Sequence, residues 1–453
     1  DYFMETTNSN YFGTEKISRI LLKIAPPVML AQLIQALYNI VDQIFVGQGV
    51  GITGMAAINI AFPLSILVNA VSLLLGDGCA ANVSLCLGRR EQENANKIFG
   101  QAVTWIVVCG IALAFICGIF APHIVTLFGT TNTAYGESLA YMRVIAIGIP
   151  FQLICPAFTA MIRADGSPQY TMKCMMAGAV VNIILDPVFI FVFDLGVSGA
   201  AIATVLSQAV GAIWILRFLS GKKTILHLRK ENFKLQKNII LPCLGLGIST
   251  FVMLSTESIL SISFTSSLSR YGGDLAVGAM TIITSVSQLA TLPLQGICQG
   301  GQPIMSYNFG AGNKERVKKA FFTQFTVCTV FTGCFWLIML LFPRLFAGIF
   351  SNDTDLITYT AWALRIYMAG IFSLGFQVSC QQSFMALGQA KVSLLLACLR
   401  KLILLIPLIF ILPLFIQNKV FAVFLAEPIS DILAAIITTS TFFRRFDKIL
   451  DRR

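Results

Sequence analysis

Val181-Asn182-Ile183-Ile184-Leu185-Asp186-Pro187 interrupts the fifth long apolar segment of the chain with an amide, a carboxylate and a proline. Asn182 and Asp186 are four residues apart, so a helix places both side chains on one face. Pro187 has no backbone N–H and leaves the carbonyl of Ile183 without its helical donor. A carboxylate inside a membrane-length segment is costly and indicates an ion or proton site. The alternative is a structural kink whose buried acid holds a neighbouring helix.

The chain on both sides of this stretch is almost uncharged. Of its 453 residues, 56% are hydrophobic and only 12% are charged, and the mean hydropathy is +0.80. A soluble protein carries about 25% charged residues. The repeated apolar runs of about 20 residues match helices that cross the hydrocarbon, whereas barrel strands would be about half as long and alternate in polarity. The sequence therefore predicts an all-α integral membrane protein.

Twelve transmembrane helices are predicted after a polar tail. Their centres fall near residues 32, 65, 109, 151, 182, 208, 252, 286, 331, 372, 402 and 431. Most of the 32 Lys and Arg residues lie in the terminal segments and in the loops that follow even-numbered helices. The positive-inside rule then places both termini in the cytoplasm, and it explains the net charge of +11 without a nucleic-acid partner.

The two halves of the chain repeat each other at a constant offset of 222 residues. Identical pairs are Gly78 and Gly300, Ser84 and Ser306, Gly88 and Gly310, Glu93 and Glu315, Lys97 and Lys319, Phe128 and Phe350, Arg143 and Arg365, Gly148 and Gly370, Ala164 and Ala386, and Gly166 and Gly388. With six helices in each half, both copies enter from the same side. We therefore expect two parallel six-helix lobes with pseudo-two-fold symmetry, as in transporters. The predicted boundaries are an N-terminal tail at 1–17, lobes at 18–219 and 239–443, a cytoplasmic linker at 220–238 and a C-terminal tail at 444–453.

Polar residues form a stripe on the first predicted helix. Gln32, Gln35, Asn39 and Asp42 recur at helical spacing and fall on one face of an otherwise apolar segment. Gln32, Gln35 and Asn39 are candidates for a substrate path.

The predicted topology brings four oxygen-bearing side chains of the first half to a similar depth. They are Asp42, Asn182, Asp186 and Thr204. Such a set suits a hard cation such as Na⁺, or a proton shared between carboxylates. The alternative is polar contact between helices, to which Thr204 is best suited.

The second half does not repeat the acidic pair, since Leu404 and Leu408 stand at the matching positions. It has its own intramembrane charges instead, namely Arg400, Lys401, Glu427 and Asp431, for which we expect structural ion pairing. Glu257, Gln377 and Gln381 are further candidates for a substrate path, although the two glutamines could instead bridge helices.

Other motifs of the sequence argue against catalysis. The chain has only two His residues, and its 12 Cys residues are scattered singly through apolar segments without metal-ligand spacing. Gly76, Gly78 and Ser84, and in the second half Gly300 and Ser306, lack the context of a phosphate loop. For these glycines we expect close helix packing. No nucleophile–base arrangement is apparent, so an enzyme is not predicted.

The chain resembles the multidrug and toxic compound extrusion (MATE) family, and within it the MepA-like branch. The resemblance covers nearly the whole chain, and the stretches that carry it are Ala25–Pro27, Val41–Gly47, Leu87–Arg90, Asn182–Pro187 and Ala426–Asp431.

The resemblance implies a two-lobed antiporter that exports amphipathic organic cations in exchange for H⁺ or Na⁺ and needs no cofactor. It implies a first-lobe cation site at Asp42, Asn182, Asp186 and Thr204. Glu257 is similar to an acid that another branch uses in its second lobe, but the aspartate of that branch falls at Phe376 here, which favours coupling in the first lobe. A monomer in a bacterial plasma membrane, with lipids as its surroundings, is expected.

One alternative keeps the fold but changes the cargo. A flippase for a lipid-linked saccharide or another dedicated amphiphile would need a cationic cavity, with Arg400 and Lys401 facing the anionic headgroup.

Overall fold

A computed structural model of the protein describes residues 11–127, 132, 135–222, 224–350 and 353–451. Its regular elements are helices, because long apolar segments in lipid must satisfy every backbone N–H and C=O internally. The first half contains α1 (Ile17–Gly49), α2 (Ile52–Gly88), α3 (Gln92–Ile119), α4 (Ala121–Leu127), α5 (Tyr135–Ala164), α6 (Pro168–Pro187), a π-helical turn (Val188–Val192) and α7 (Gly196–Leu219).

The second half follows a long loop that includes a 3-10 turn at Lys230–Phe233. Its elements are α8 (Lys237–Gly310), α9 (Lys314–Leu341), α10 (Pro343–Phe350), α11 (Thr354–Tyr367), a 3-10 turn (Met368–Gly370), α12 (Ile371–Ala386), α13 (Ala390–Cys398), a π-helical segment (Leu399–Leu405), α14 (Ile406–Phe415) and α15 (Lys419–Asp451).

The predicted helical spans are confirmed. Among the described residues, eleven helical segments are long and apolar enough to cross a membrane, and each contains one predicted centre. The twelfth centre, near residue 286, lies in the second part of α8. Gly273 divides α8 with a φ of 67°, a left-handed value that glycine adopts without strain, so two predicted spans share this one helical run.

Contacts divide the chain into two units. One unit holds Pro26–Phe251 with the segment that ends at Thr14, and the other holds Glu15–Ala25 with Val252–Arg453. In the first unit α5 packs against α2, α3 and α7, and in the second α12 packs against α9 and α15.

These units differ from the lobes that we placed at 18–219 and 239–443 on the basis of the loop. The start of α1 belongs to the second unit because Arg316 donates to the carbonyl of Glu15 at 2.7 Å and Gly300 packs on Ala25. Pro26 and Pro27 interrupt the backbone hydrogen bonding of α1 where the chain passes from one unit to the other.

The glycines of the first repeat permit backbone-to-backbone packing, as the sequence predicted. A Cβ on Gly78 would overlap the carbonyl oxygen of Cys243, and a Cβ on Gly247 would overlap that of Leu74. The helices α2 and α8 therefore approach within the first unit as closely as their backbones allow. Gly76 packs in the same way against α5 at Ala157.

We expect Gly78→Ala to lower the thermal stability of the detergent-purified protein. The added methyl group has only backbone in front of it, and overpacking of this kind costs about 1–3 kcal/mol. Gly333→Ala is the matched control, because Gly333 lies within α9 and a Cβ there meets open space; it should leave stability unchanged or raise it by about 0.5–1 kcal/mol. Equal melting temperatures for the two variants would contradict close packing at Gly78.

The loop between α7 and α8 is fixed to the first unit by side chains that the sequence did not single out. Asp165 accepts from the backbone N–H groups of Ile225 at 2.7 Å and Leu226 at 3.2 Å. On α3, Asn96 accepts from the N–H of His227 at 3.0 Å and Gln101 accepts from that of Gln236 at 3.0 Å. The loop is thus a docked segment rather than a free connector.

Asp165 makes this docking pH-dependent. Burial raises the pKa of Asp165 from 3.8 to about 6, although the two backbone N–H groups oppose the shift. The folded protein therefore binds this proton more tightly than the unfolded chain. Its stabilising contribution is full below about pH 4 and is lost as the pH rises through about 6.

We expect Asp165→Asn to remove this dependence, because the amide keeps an acceptor oxygen but does not titrate. The stability of the wild type relative to the variant should fall between pH 4 and pH 7, by up to about 3 kcal/mol for a shift of about two units. Melting temperatures of both proteins across this range measure the difference. Parallel profiles would show that Asp165 does not titrate there.

Candidate functional site

The four oxygen-bearing residues predicted to share one depth lie on three helices of the first unit. Asp42 is on α1, Asn182 and Asp186 are one turn apart on α6, and Thr204 is on α7. All four are buried, with exposed fractions of 7% for Asp42, 0% for Asn182 and Asp186, and 6% for Thr204. The carboxyl groups of Asp42 and Asp186 are near enough to interact electrostatically. Helix packing thus brings together two acids that are far apart in sequence.

The polar atoms of this group have no hydrogen-bond partner in the part of the chain that the structure describes. They are Oδ1 of Asp42, both side-chain atoms of Asn182, both carboxylate oxygens of Asp186 and Oγ1 of Thr204. A buried polar group without a partner costs about 1–3 kcal/mol, and a charged one more. Oxygens from two acids, an amide and a hydroxyl are the ligands that a hard cation or a shared proton requires.

The backbone next to the acids departs from the α-helix. Pro187 ends α6, and the following residues form a π-helical turn in which the N–H of Phe193 donates to the carbonyl of Val188 at 3.0 Å. Such turns are rare and occur frequently at functional sites. The sequence predicted the interruption at Pro187 but not its π-helical form.

Asp42 also borders a cavity of about 320 Å³ that lies within the first unit. Thr204 and two of the predicted path residues, Gln35 and Asn39, line the same cavity. Gln32 is half-buried and does not appear among the lining residues. The volume is at the lower end of the range for small-molecule pockets.

The cavity wall is suited to a cation. Asp42 is its acidic group, and no Lys or Arg of the described residues lines it. Aromatic rings come from Tyr38, Phe62 and Tyr141, and their faces attract positive charge. Sequence reasoning missed these rings and the amide groups of Asn69, Gln152 and Gln208, which also line the wall. The three amides could have been found from the sequence, because they are polar side chains inside apolar helices.

The intramembrane charges of the second unit form ion pairs. Arg400 donates from Nε to Asp431 at 2.7 Å and from Nη2 to Glu427 at 3.1 Å. Lys401 pairs with Glu257 and also donates to the carbonyl of Met253 at 3.3 Å. Glu257, a candidate for the substrate path, is therefore neutralised by an internal cation.

Gln377 and Gln381 are on α12, where both are buried. Gln377 donates to Gln381 at 2.9 Å. This hydrogen bond lies within one helix and therefore does not bridge helices, and a place for the two glutamines on a substrate path stays a prediction.

Comparisons with known proteins identify relatives over most of the chain. A family model described as MatE matches residues 27–188 and 249–411. The multidrug export protein MepA of Staphylococcus saprophyticus is 24% identical over 430 residues, which cover 94% of each chain. MepA of Staphylococcus aureus is 24% identical over 434 residues, again 94% of each chain.

Solved structures share the fold. A crystal structure of MATE in the bent conformation has a TM-score of 0.93 at 22% identity and covers 98% of this chain and 99% of that one. A multidrug resistance MATE family transporter in an outward-facing conformation gives a TM-score of 0.91 at 21% identity, with 98% of each chain covered. A transporter of the MOP superfamily from Pyrococcus furiosus, described as having a binding pocket of reverse polarity, gives 0.91 at 21% identity, also over 98% of each chain.

Proposed function

This chain belongs to the MatE family of membrane transport proteins, and from that premise we propose that it is a secondary active antiporter which exports amphipathic organic cations in exchange for H⁺ or Na⁺. It is not an enzyme. The observation that carries the proposal is the position of Asp42, whose carboxyl borders the cavity and also faces Asp186. One acid thus serves both the drug cavity and the ion site.

This arrangement couples the two ligands through charge. Two neighbouring carboxylates inside a low-dielectric site resist ionising together unless a cation lies beside them. A proton or Na⁺ held by Asp42 and Asp186, with Asn182 and Thr204 beside them, removes the negative charge that attracts an organic cation. Binding of an organic cation against Asp42 in turn favours release of the small cation, so each excludes the other.

The export direction follows from alternating access. A gradient does work only when the ion binds one state of the transporter better than the other. We propose that the ion enters from outside and that the drug leaves to the same side, in a bacterial plasma membrane with both termini in the cytoplasm. The transporter acts as a monomer, because cavity and ion site lie within one chain.

A flippase for anionic amphiphiles is less well supported. It needs cationic side chains toward its cargo, but Arg400 and Lys401 are engaged with carboxylates and their side chains are only 15% and 5% exposed. The cavity of the first unit has the opposite polarity.

Proteoliposomes test the proposal. Purified protein is reconstituted, a fluorescent lipophilic cation is added, and a pH gradient or a Na⁺ gradient is imposed separately. We expect one of the two gradients to drive movement of the dye and its collapse to stop the movement. Movement of a fluorescent lipid with an anionic headgroup, together with an immobile cation under both gradients, would favour the flippase instead.

A further inference from the structure

The charge cluster of the second unit does not sum to zero. Its members are the acids Glu257, Glu427 and Asp431 and the bases Arg400 and Lys401. With all five ionised, the cluster has one uncompensated negative charge. The side chain of Glu257 is 51% exposed, whereas those of Glu427 and Asp431 are 8% and 5% exposed and share Arg400. Because an unpaired buried charge costs several kcal/mol, these two buried acids need one more positive charge.

The ion pairs locate this deficit at Glu427. Lys401 is directed to Glu257, and Arg400 directs Nε to Asp431 and Nη2 to Oε1 of Glu427. The second oxygen of Glu427, Oε2, is buried and has no partner among the described residues. The whole residue is only 6% exposed. Tyr367, from α11, also faces Glu427 and Asp431, but its neutral hydroxyl brings no positive charge.

The local backbone holds this geometry. Arg400 and Lys401 are consecutive in the π-helical segment Leu399–Leu405, and they reach acids on different helices, α15 and α8. On α15, Glu427 and Asp431 are four residues apart on one face. The serine between them, Ser430, donates to the carbonyl of Arg400 at 2.8 Å. The π-helical segment therefore fixes the two bases, α15 fixes the two buried acids, and Ser430 joins these two elements by a hydrogen bond.

We propose that Glu427 holds an exchangeable proton on Oε2, so that the second unit has a proton site separate from Asp42 and Asp186. Protonation forms one O–H bond at Oε2 and converts a hydronium ion to water, and release reverses both changes. The protonated cluster is neutral. If the protein is an antiporter, as proposed above, this proton is taken up and released once in each transport cycle. The second unit then moves one proton per exported cation, in addition to the H⁺ or Na⁺ that the first unit exchanges.

Infrared spectroscopy of the purified protein tests the site without transport. The carbonyl stretch of a protonated carboxylic acid is separate from the carboxylate bands, and the Asp42→Asn/Asp186→Asn background removes the acids of the first unit. At neutral pH we expect that background to retain a buried carboxylic acid band, and Glu427→Gln to remove it. Glu315→Gln, at an exposed acid of the same unit, is the matched control and should leave the band.

The proposal would be overturned if the Asp42→Asn/Asp186→Asn protein shows no carboxylic acid band, or if the band remains after Glu427→Gln is added. Gln has the shape of the protonated acid, so melting temperatures should show that the variant is folded. In otherwise wild-type proteoliposomes Glu427→Gln should lower the number of protons moved per exported cation by one. If the band is lost but the proton count is unchanged, Glu427 holds a proton that takes no part in the cycle. If the wild type itself transports no cation under either gradient, the antiport proposal is contradicted instead.

Discussion

Asp186→Asn is expected to abolish coupled export of organic cations while the protein still inserts and folds. The substitution keeps the shape of the side chain but removes one of the two charges that hold the coupling cation. Loss of a unit charge about 4 Å away costs about 4 kcal/mol at an effective dielectric constant of about 20. Since about 1.4 kcal/mol is a factor of ten, ion affinity should fall by at least about 100-fold. Export of a fluorescent cation from cells, normalised to the amount of inserted protein, measures the loss.

The melting temperature of Asp186→Asn distinguishes loss of ion coupling from misfolding. Both Asp186 oxygens are buried without a partner in the described chain, so removal of the charge should leave the melting temperature unchanged or raise it. Asp194→Asn is the matched control, because Asp194 is an exposed acid shortly after the π-helical turn that follows Pro187. Its φ is 52°, a value that Asn tolerates. The control should export normally. Full export by a well-expressed Asp186→Asn protein would exclude Asp186 from coupling.

Arg400→Met should give the largest loss of stability. The guanidinium is the shared partner of Glu427 and Asp431, and its removal leaves both buried acids without it. Breaking a buried ion pair from one side costs about 3–5 kcal/mol. The melting temperature of the purified protein, followed by size-exclusion chromatography after heating, measures the change.

Two further variants make the Arg400 prediction specific. Lys318→Met removes a surface ion pair between Lys318 and Asp447, whose side chains are 47% and 70% exposed. It should leave the melting temperature almost unchanged, because solvent screens such pairs. Adding Glu427→Gln and Asp431→Asn to Arg400→Met should recover most of the lost stability, because no buried charge then lacks a partner. A triple variant as unstable as the single one would show that Arg400 acts through packing alone.

The sequence was sufficient for the helices because apolar length determines them directly. It was also sufficient to propose Asp42, Asn182, Asp186 and Thr204 as one group, since polar atoms in lipid-length segments are conspicuous. That the carboxyls of Asp42 and Asp186 face each other depends on how α1 packs against α6, and only matching depth suggested it. The cavity wall at Tyr38 and Gln208 depends on packing in the same way.

Other features had no local signal in the sequence. In the π-helical segments after Pro187 and around Arg400, the backbone hydrogen bonds span one residue more than in an α-helix. The residue types of these segments do not predict that change. The docking of the α7–α8 loop on Asp165 joins residues about sixty positions apart through backbone N–H groups, which carry no sequence pattern. The hydrogen bond from Gln377 to Gln381 within α12 was neither of the two alternatives that the sequence suggested, a substrate path or a bridge between helices.

Competition between the coupling ion and an organic cation shows whether Asp42 and Asp186 form one site that both ligands share. The dissociation constant of tetraphenylphosphonium for the purified protein is measured against pH and, separately, against Na⁺ concentration, for the wild type and Asp186→Asn. We predict that one of the two ions weakens binding of tetraphenylphosphonium to the wild type, and that this dependence disappears in Asp186→Asn. A wild-type dissociation constant that changes with neither ion, or a dependence that survives in the variant, would contradict a shared cation site at Asp42 and Asp186.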